Sequence, residues 1–186
     1  MSSIVNPARL VLASVLWAGL CSLGTTEAPV DRPSEYQVKA AYLFNFTKFV
    51  TWNSPPASST FDVCIMGRDP FGRALDSVTE GEQVDGHKVV VRRVGSTEEA
   101  AACRVLFLSS SEEGRERTVL ESLPHGVLTV SDIPRFVQHG GMIEFVREGD
   151  RIRFQVNLPA AENAGLTLSS ELLKVAVRVN GAGSPQ

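Results

Sequence analysis

Between residues 61 and 131 the chain carries four short apolar runs, and the segments between them read as helices or turns; few folds accommodate this arrangement. The runs are 61–67, 88–94, 104–109 and 127–131. A strand that is apolar on both faces has to be covered on both faces, and strands joined through helices lie parallel. The connecting segments carry suitable punctuation. Asp69 precedes Pro70 at a helix start, 97–102 reads as one helical turn, Ser111 caps a helix to Leu123, and Pro124 and Gly126 turn the chain. The expectation is an α/β fold: a single three-layer domain with a mostly parallel sheet flanked by helices.

The pattern changes after residue 140. Segments 142–147 and 151–157 alternate apolar with polar around Glu148-Gly149-Asp150, which predicts an antiparallel hairpin at one edge of the sheet. A short helix over 133–139 precedes it, and a closing helix over 169–179 turns Leu172, Leu173, Ala176 and Val179 to the core. Upstream, Ser34 is placed to cap a helix over 35–50. Its apolar positions recur at helical spacing, and Tyr42, Phe46 and Phe49 widen that face beyond a simple stripe. Such a helix is heavily buried or binds a partner. Trp52, Pro55 and Pro56 end it, and a loop is expected to residue 60.

The first 28 residues contain Arg9 as their only basic side chain, an apolar run from Leu10 to Leu20 and no acid before Glu27, the pattern of a secretory leader. Cleavage after Gly24 and a lipoprotein cut before Cys21 are both readable. Residues 29–33 form a connector, 34–180 the domain and 181–186 a tail. The net charge of −3 and the dispersal of Lys and Arg among Asp and Glu argue against nucleic acid, and Arg92-Arg93 reads as a solvated strand end. With Cys21 in the leader, Cys64 and Cys103 remain. In an oxidising compartment the pair is most simply a disulfide, with two unpaired buried thiols as the alternative.

Motifs that carry catalysis are missing. His139-Gly140-Gly141 suggests an oxyanion loop, but no G-x-S-x-G supplies a nucleophile, and Gly140 and Gly141 read more simply as a helix end and a strand start. No dinucleotide, phosphate-loop or zinc-hydrolase motif occurs, so no cofactor and no metal are expected and the chain is read as non-enzymatic. His87 and His125 read as exposed turn residues. In a parallel sheet, ligands bind beyond the carboxyl ends of the strands. Those ends present Arg68, Asp69, Ser110, Ser131 and Asp132, the candidate ligand set, with ordinary capping as the competing explanation. Tyr42, Asn45, Phe46, Lys48, Phe49 and Trp52 form the candidate partner surface.

The run Glu35-Tyr36-Gln37-Val38-Lys39-Ala40-Ala41-Tyr42-Leu43-Phe44-Asn45-Phe46-Thr47-Lys48-Phe49-Val50, followed by Trp52, resembles the opening helix of the YfiR family of bacterial periplasmic proteins. The likeness continues through Gly67-Arg68-Asp69-Pro70-Phe71-Gly72, Cys103-Arg104-Val105-Leu106-Phe107, Leu128-Thr129-Val130-Ser131-Asp132 and Gly140-Gly141-Met142-Ile143. It reaches Arg151-Ile152-Arg153-Phe154-Gln155-Val156-Asn157-Leu158, Ala164-Gly165-Leu166 and Ser169-Ser170. The resemblance implies a single exported α/β domain that acts as a regulator, binding and repressing the periplasmic sensor region of an inner-membrane diguanylate cyclase and so lowering cyclic-di-GMP. A sensor kinase is an alternative membrane partner, and a homodimer stays open. It implies a disulfide between Cys64 and Cys103, whereas a second family cysteine pair has no counterpart near Gln138 and Phe145. The other functional expectation is a periplasmic small-ligand sensor whose strand-end crevice takes an anionic or aromatic metabolite through Arg68, Ser110 and Asp132.

Overall fold

The computed structural model describes residues 33–53 and 58–181, which belong to one compact unit. The expected leader, most of the connector and the tail from 182 lie outside the described residues. In chain order the elements are α1 (Glu35–Phe49), β1 (Val50–Trp52), β2 (Thr60–Met66), α2 (Arg73–Thr79), β3 (Gln83–Val84) and β4 (His87–Val94). They continue with α3 (Thr97–Ala100), β5 (Val105–Leu108), a 3-10 turn (Ser110–Glu112), α4 (Glu116–Ser122), β6 (Leu128–Ser131) and β7 (Ile143–Glu148). The chain closes with β8 (Arg151–Asn157), α5 (Leu158–Asn163), β9 (Leu166–Leu168), α6 (Ser170–Val175) and β10 (Arg178–Asn180).

Eight strands form one sheet in the order β10-β8-β7-β6-β5-β2-β4-β3, and β1 pairs with β9 separately. The consecutive neighbours β4, β2, β5, β6 and β7 are parallel. The chain starts this parallel set at β2, steps out to β4, returns past β2 to β5 and proceeds to β6 and β7. The switch of direction therefore falls between β2 and β5, as in doubly wound sheets.

The period of two explains why these runs are apolar on both faces. Phe61, Val63 and Ile65 of β2, Val105 and Phe107 of β5, and Leu128 and Val130 of β6 enter one core with α1, α2, α5 and α6. Cys64, Met66, Leu106 and Leu108 point to a second core with Ala100 of α3, Val119 of α4, and Ile133 and Phe136. Three layers result.

α1 starts where Ser34 predicts. Ser34 Oγ accepts from Gln37 N at 3.3 Å, and Ser34 N donates to Gln37 Oε1 at 2.6 Å. Its aromatic face builds the first core: Phe46 lies 4.9 Å from Phe154 and 5.8 Å from Phe145, ring centroid to centroid.

Several local expectations are corrected. The 133–139 segment forms turns, with Arg135 at φ 64°. The buried Glu144 carboxylate accepts from Arg135 N and Val137 N, each at 3.1 Å, and so replaces helical hydrogen bonding. Gly141 belongs to this packing, because a Cβ there would lie 2.2 Å from the Phe136 ring. The closing helix stops at Val175; Val177 N donates to Phe154 O, and β10 adds to β8 in parallel. The hairpin of β7 and β8 is therefore one strand in from the edge. Asp69 caps a turn, not a helix, accepting from Phe71 N and Gly72 N, and α2 begins only at Arg73. Ser109 caps the 3-10 turn in place of Ser111, and α4 starts at Glu116. The helix expected to Val50 stops at Phe49, Val50–Trp52 forming β1, and His87 opens β4 with Nδ1 3.2 Å from Ser59 O.

Cys64, inside β2, is bonded to Cys103, which precedes β5, with Cα atoms 6.0 Å apart and a sequence separation of 39. Both cysteines lie in the second core. On the chain-entropy account the bridge stabilises the fold by about 4 kcal/mol. Replacing both cysteines with alanine is expected to lower the unfolding free energy by ~3–5 kcal/mol in urea titrations, with the near-ultraviolet circular dichroism of the folded state retained. A loss below ~1 kcal/mol would show that the bridge constrains little.

Candidate functional site

α1 lies over the first core with its N-terminal turns reaching beyond the carboxyl ends of β5 and β6. There Lys39, whose side chain is only 5% exposed, places Nζ 2.6 Å from Asp132 Oδ2 and 2.5 Å from Glu35 Oε1. Asp132 follows β6 directly. Tyr36 donates its hydroxyl to the same Asp132 Oδ2 at 3.0 Å, and its ring lies 4.5 Å from Lys39 Nζ. The buried lysine is thus paired, hydrogen-bonded and set over an aromatic face, which together offset its desolvation.

Helical spacing explains the placement. Tyr36, Lys39, Ala40 and Leu43 share one side of α1, the side that faces the sheet, so a lysine there requires an inward carboxylate. Around this group opens a cleft of about 390 Å³, lined among others by Ser110, Asp132, Pro134, Phe145 and Arg147. At its mouth Arg147 Nη1 is 3.5 Å from Glu35 Oε2. Burial, then the charge of Asp132, pushes the Tyr36 phenol up to about 12, so it stays a protonated donor across the neutral range.

Two of the five candidate ligand residues, Ser110 and Asp132, meet in this cleft. Ser131 does not: it is fully buried, with Oγ donating to Leu108 O at 2.7 Å and accepting from Ile133 N at 2.9 Å. Asp69 is held by its turn and by Arg93 Nε at 2.9 Å, while Arg68 is exposed, with its backbone N–H given to Ser111 Oγ. Arg93 also binds Asp76 at 2.7 Å and holds that carboxyl below its ordinary range, so this strand end is ion-paired. Glu35, Tyr36, Lys39 and Arg147 are the cleft residues that strand-end reasoning passes over.

The candidate partner surface divides as well. Phe46 is in the core at 1% exposure and cannot touch a partner; Tyr42 and Trp52 are half-buried. Asn45, Lys48 and Phe49 are exposed, with Lys48 Nζ 4.4 Å from the Phe44 ring centroid. Among the described residues the exposed large hydrophobics are Phe49, Val175 and Val177, and α6, which ends at Val175, packs on α1.

His139 Nδ1 lies 2.8 Å from Glu116 Oε1 and ties the 133–140 turns to α4. Burial raises the Glu116 carboxyl, but the backbone N–H groups and His139 prevail and hold it below its ordinary value. No group of three or more His, Cys, Asp or Glu among the described residues is placed to hold a metal. None of the described helices is long and apolar enough to cross a membrane.

Two outcomes are expected here. Lys39→Met should cost ~3–5 kcal/mol in chemical denaturation, because it strips a buried carboxylate of its cation; a loss under ~1 kcal/mol would contradict the pairing. In ultraviolet titration the Tyr36 step should fall near about 12 and vanish in Tyr36→Phe. The folded phenol is raised above its unfolded value, so its stabilisation is complete below pH ~10 and is lost as pH rises through the folded value.

The profile of the YfiR/HmsC-like family matches residues 36–177, which spans α1 to the end of α6. No curated protein matches the sequence. A crystal structure of a conserved domain protein from Vibrio cholerae O1 biovar El Tor is similar at TM-score 0.50 and 12% identity, covering 79% of this chain and 60% of that one. A crystal structure of an ABC domain in complex with L-Trp from Streptococcus pneumoniae matches at TM-score 0.48 and 15% identity, covering 75% of this chain and 60% of that one. The chain therefore spans about 60% of the length of each, and the Vibrio likeness speaks to the fold alone.

Proposed function

Because this chain belongs to the YfiR/HmsC-like family, we propose that it is a periplasmic regulator that represses an inner-membrane signalling protein, a diguanylate cyclase, by direct contact with its periplasmic region. The family is regulatory and periplasmic in character, and the leader over residues 1–28 supplies the route of export. The observation that carries the contact is exposed Phe49 at the end of α1, beside exposed Asn45 and Lys48, on a helix that packs on α6, where Val175 and, just beyond it, Val177 are also exposed. Such apolar exposure costs free energy in water and is suited to an aromatic-centred, polar-rimmed interface. Tyr42 packs on Phe46, Phe145 and Phe154, Trp52 packs on Phe61, and Phe46 anchors α1 in the core.

A second reading, a small-ligand sensor, is favoured by the cleft at Asp132. It replaces the set Arg68, Ser110 and Asp132 with Ser110 and Asp132 beside Lys39 and Glu35. The two readings are compatible, since the same helix carries Lys39 at the cleft and Phe49 at its exposed end.

Phe49→Glu, an exposed change that leaves the core intact, is expected to relieve repression. Cellular cyclic-di-GMP should rise about as far as in a strain lacking the gene, with the protein present at normal abundance. Unchanged cyclic-di-GMP in both strains would overturn the cyclase as target. A rise on deletion but not in Phe49→Glu would move the contact to another surface.

A further inference from the structure

Asp132 uses only half of its carboxylate. Oδ2 takes both the Tyr36 hydroxyl and Lys39 Nζ, while Oδ1 is shielded and meets no donor among the described residues. The side chain is 9% exposed and lines the cleft of about 390 Å³. An ionised oxygen so placed favours a donor, and charge-assisted bonds are the strong ones.

The remaining lining decides which donor. Both cleft cations are already committed, Lys39 to Glu35 and Asp132, and Arg147 to Glu35. The carboxylate of Glu144 is committed too, to two backbone N–H groups. An entering anion would meet the carboxylates of Glu35, Asp132 and Glu144 and, without breaking the buried Lys39 pair, would find only the exposed Arg147. An entering ammonium is drawn to the Asp132 carboxylate, whose second oxygen has no donor among the described residues, with Phe145 and Ser110 in the same lining. Aromatic faces also favour cations.

We propose that this cleft binds a small molecule bearing a protonated primary amine, its N–H bonded to Asp132 Oδ1 and the rest of the molecule extending past Ser110. The assignment rests on the small-ligand reading, which it narrows from an anionic or aromatic metabolite to an amine, and it is independent of the partner contact.

Isothermal titration of the mature protein at pH 7 tests it, using ethanolamine and putrescine as probes, N-acetylethanolamine as the uncharged control, and acetate and inorganic phosphate as anions. The amines are expected to bind, with N-acetylethanolamine about tenfold weaker or worse. Asp132→Asn should abolish amine binding. Ser110→Trp, at an exposed rim position that leaves the Lys39–Asp132 pair intact, should weaken it by about tenfold and covers the case in which Asp132→Asn does not fold. Amines binding no better than N-acetylethanolamine, or untouched by Ser110→Trp, would overturn the assignment. Anions binding while amines do not would overturn the amine but keep a ligand cleft. Heat from none of the probes would overturn both the amine and the small-ligand reading.

Discussion

Strands β2, β5 and β6 are buried on both faces, and a sheet without a solvent face must be covered twice. α1, α2, α5 and α6 cover one side; α3, α4 and the 133–140 turns cover the other. Once both faces are taken, polar groups concentrate at the strand ends, and Ser110, Asp132 and the Glu144 cap lie there. The disulfide acts within the same frame, pinning β2 to the start of β5 beside the point where the chain reverses direction. The fold creates the polar end and α1 decides what is done with it.

α1 carries two roles on one helix. Its aromatic inner side packs on Phe145 and Phe154 of the hairpin, and its first turns bring Lys39 to Asp132. Its last turn leaves Phe49 in water next to α6. The buried pair holds the first turns of the helix to the sheet, and the aromatic packing of Phe46 holds its middle. Breaking that pair is costly because it strands a charge, whereas the exposed Arg147–Glu35 contact contributes little.

The sheet was legible because its strands are continuous apolar runs, and the start of α1 because Ser34 and Gln37 form a local capping box. What escaped depends on distant partners. Lys39 reads as an ordinary polar helix residue until Asp132, 93 residues away, is placed against it. Its position between Tyr36 and Leu43 on the inward stripe was the available signal. The 133–139 segment has helical spacing, but Glu144 from the neighbouring strand captures its N–H groups. Residues 176–179 fit a helical stripe equally well, yet their β-branched alternation is drawn into the sheet by Phe154 O. Among the candidate site residues, Ser131 and Asp69 lie at strand ends, but their hydrogen bonds are spent on the fold itself. Phe46 was recognised as an excess aromatic, and the excess is absorbed by the hairpin.

The central claim is that the exposed Phe49 end of α1 meets a membrane signalling protein outside the cytoplasm. Site-specific photo-crosslinking in living cells tests it most directly, with the reactive residue at position 49 and, as a control, at exposed Glu121 on α4. The account predicts that position 49, but not 121, captures an inner-membrane protein through its periplasmic region. Capture from both positions alike, or from neither while the protein is present and folded, would contradict it.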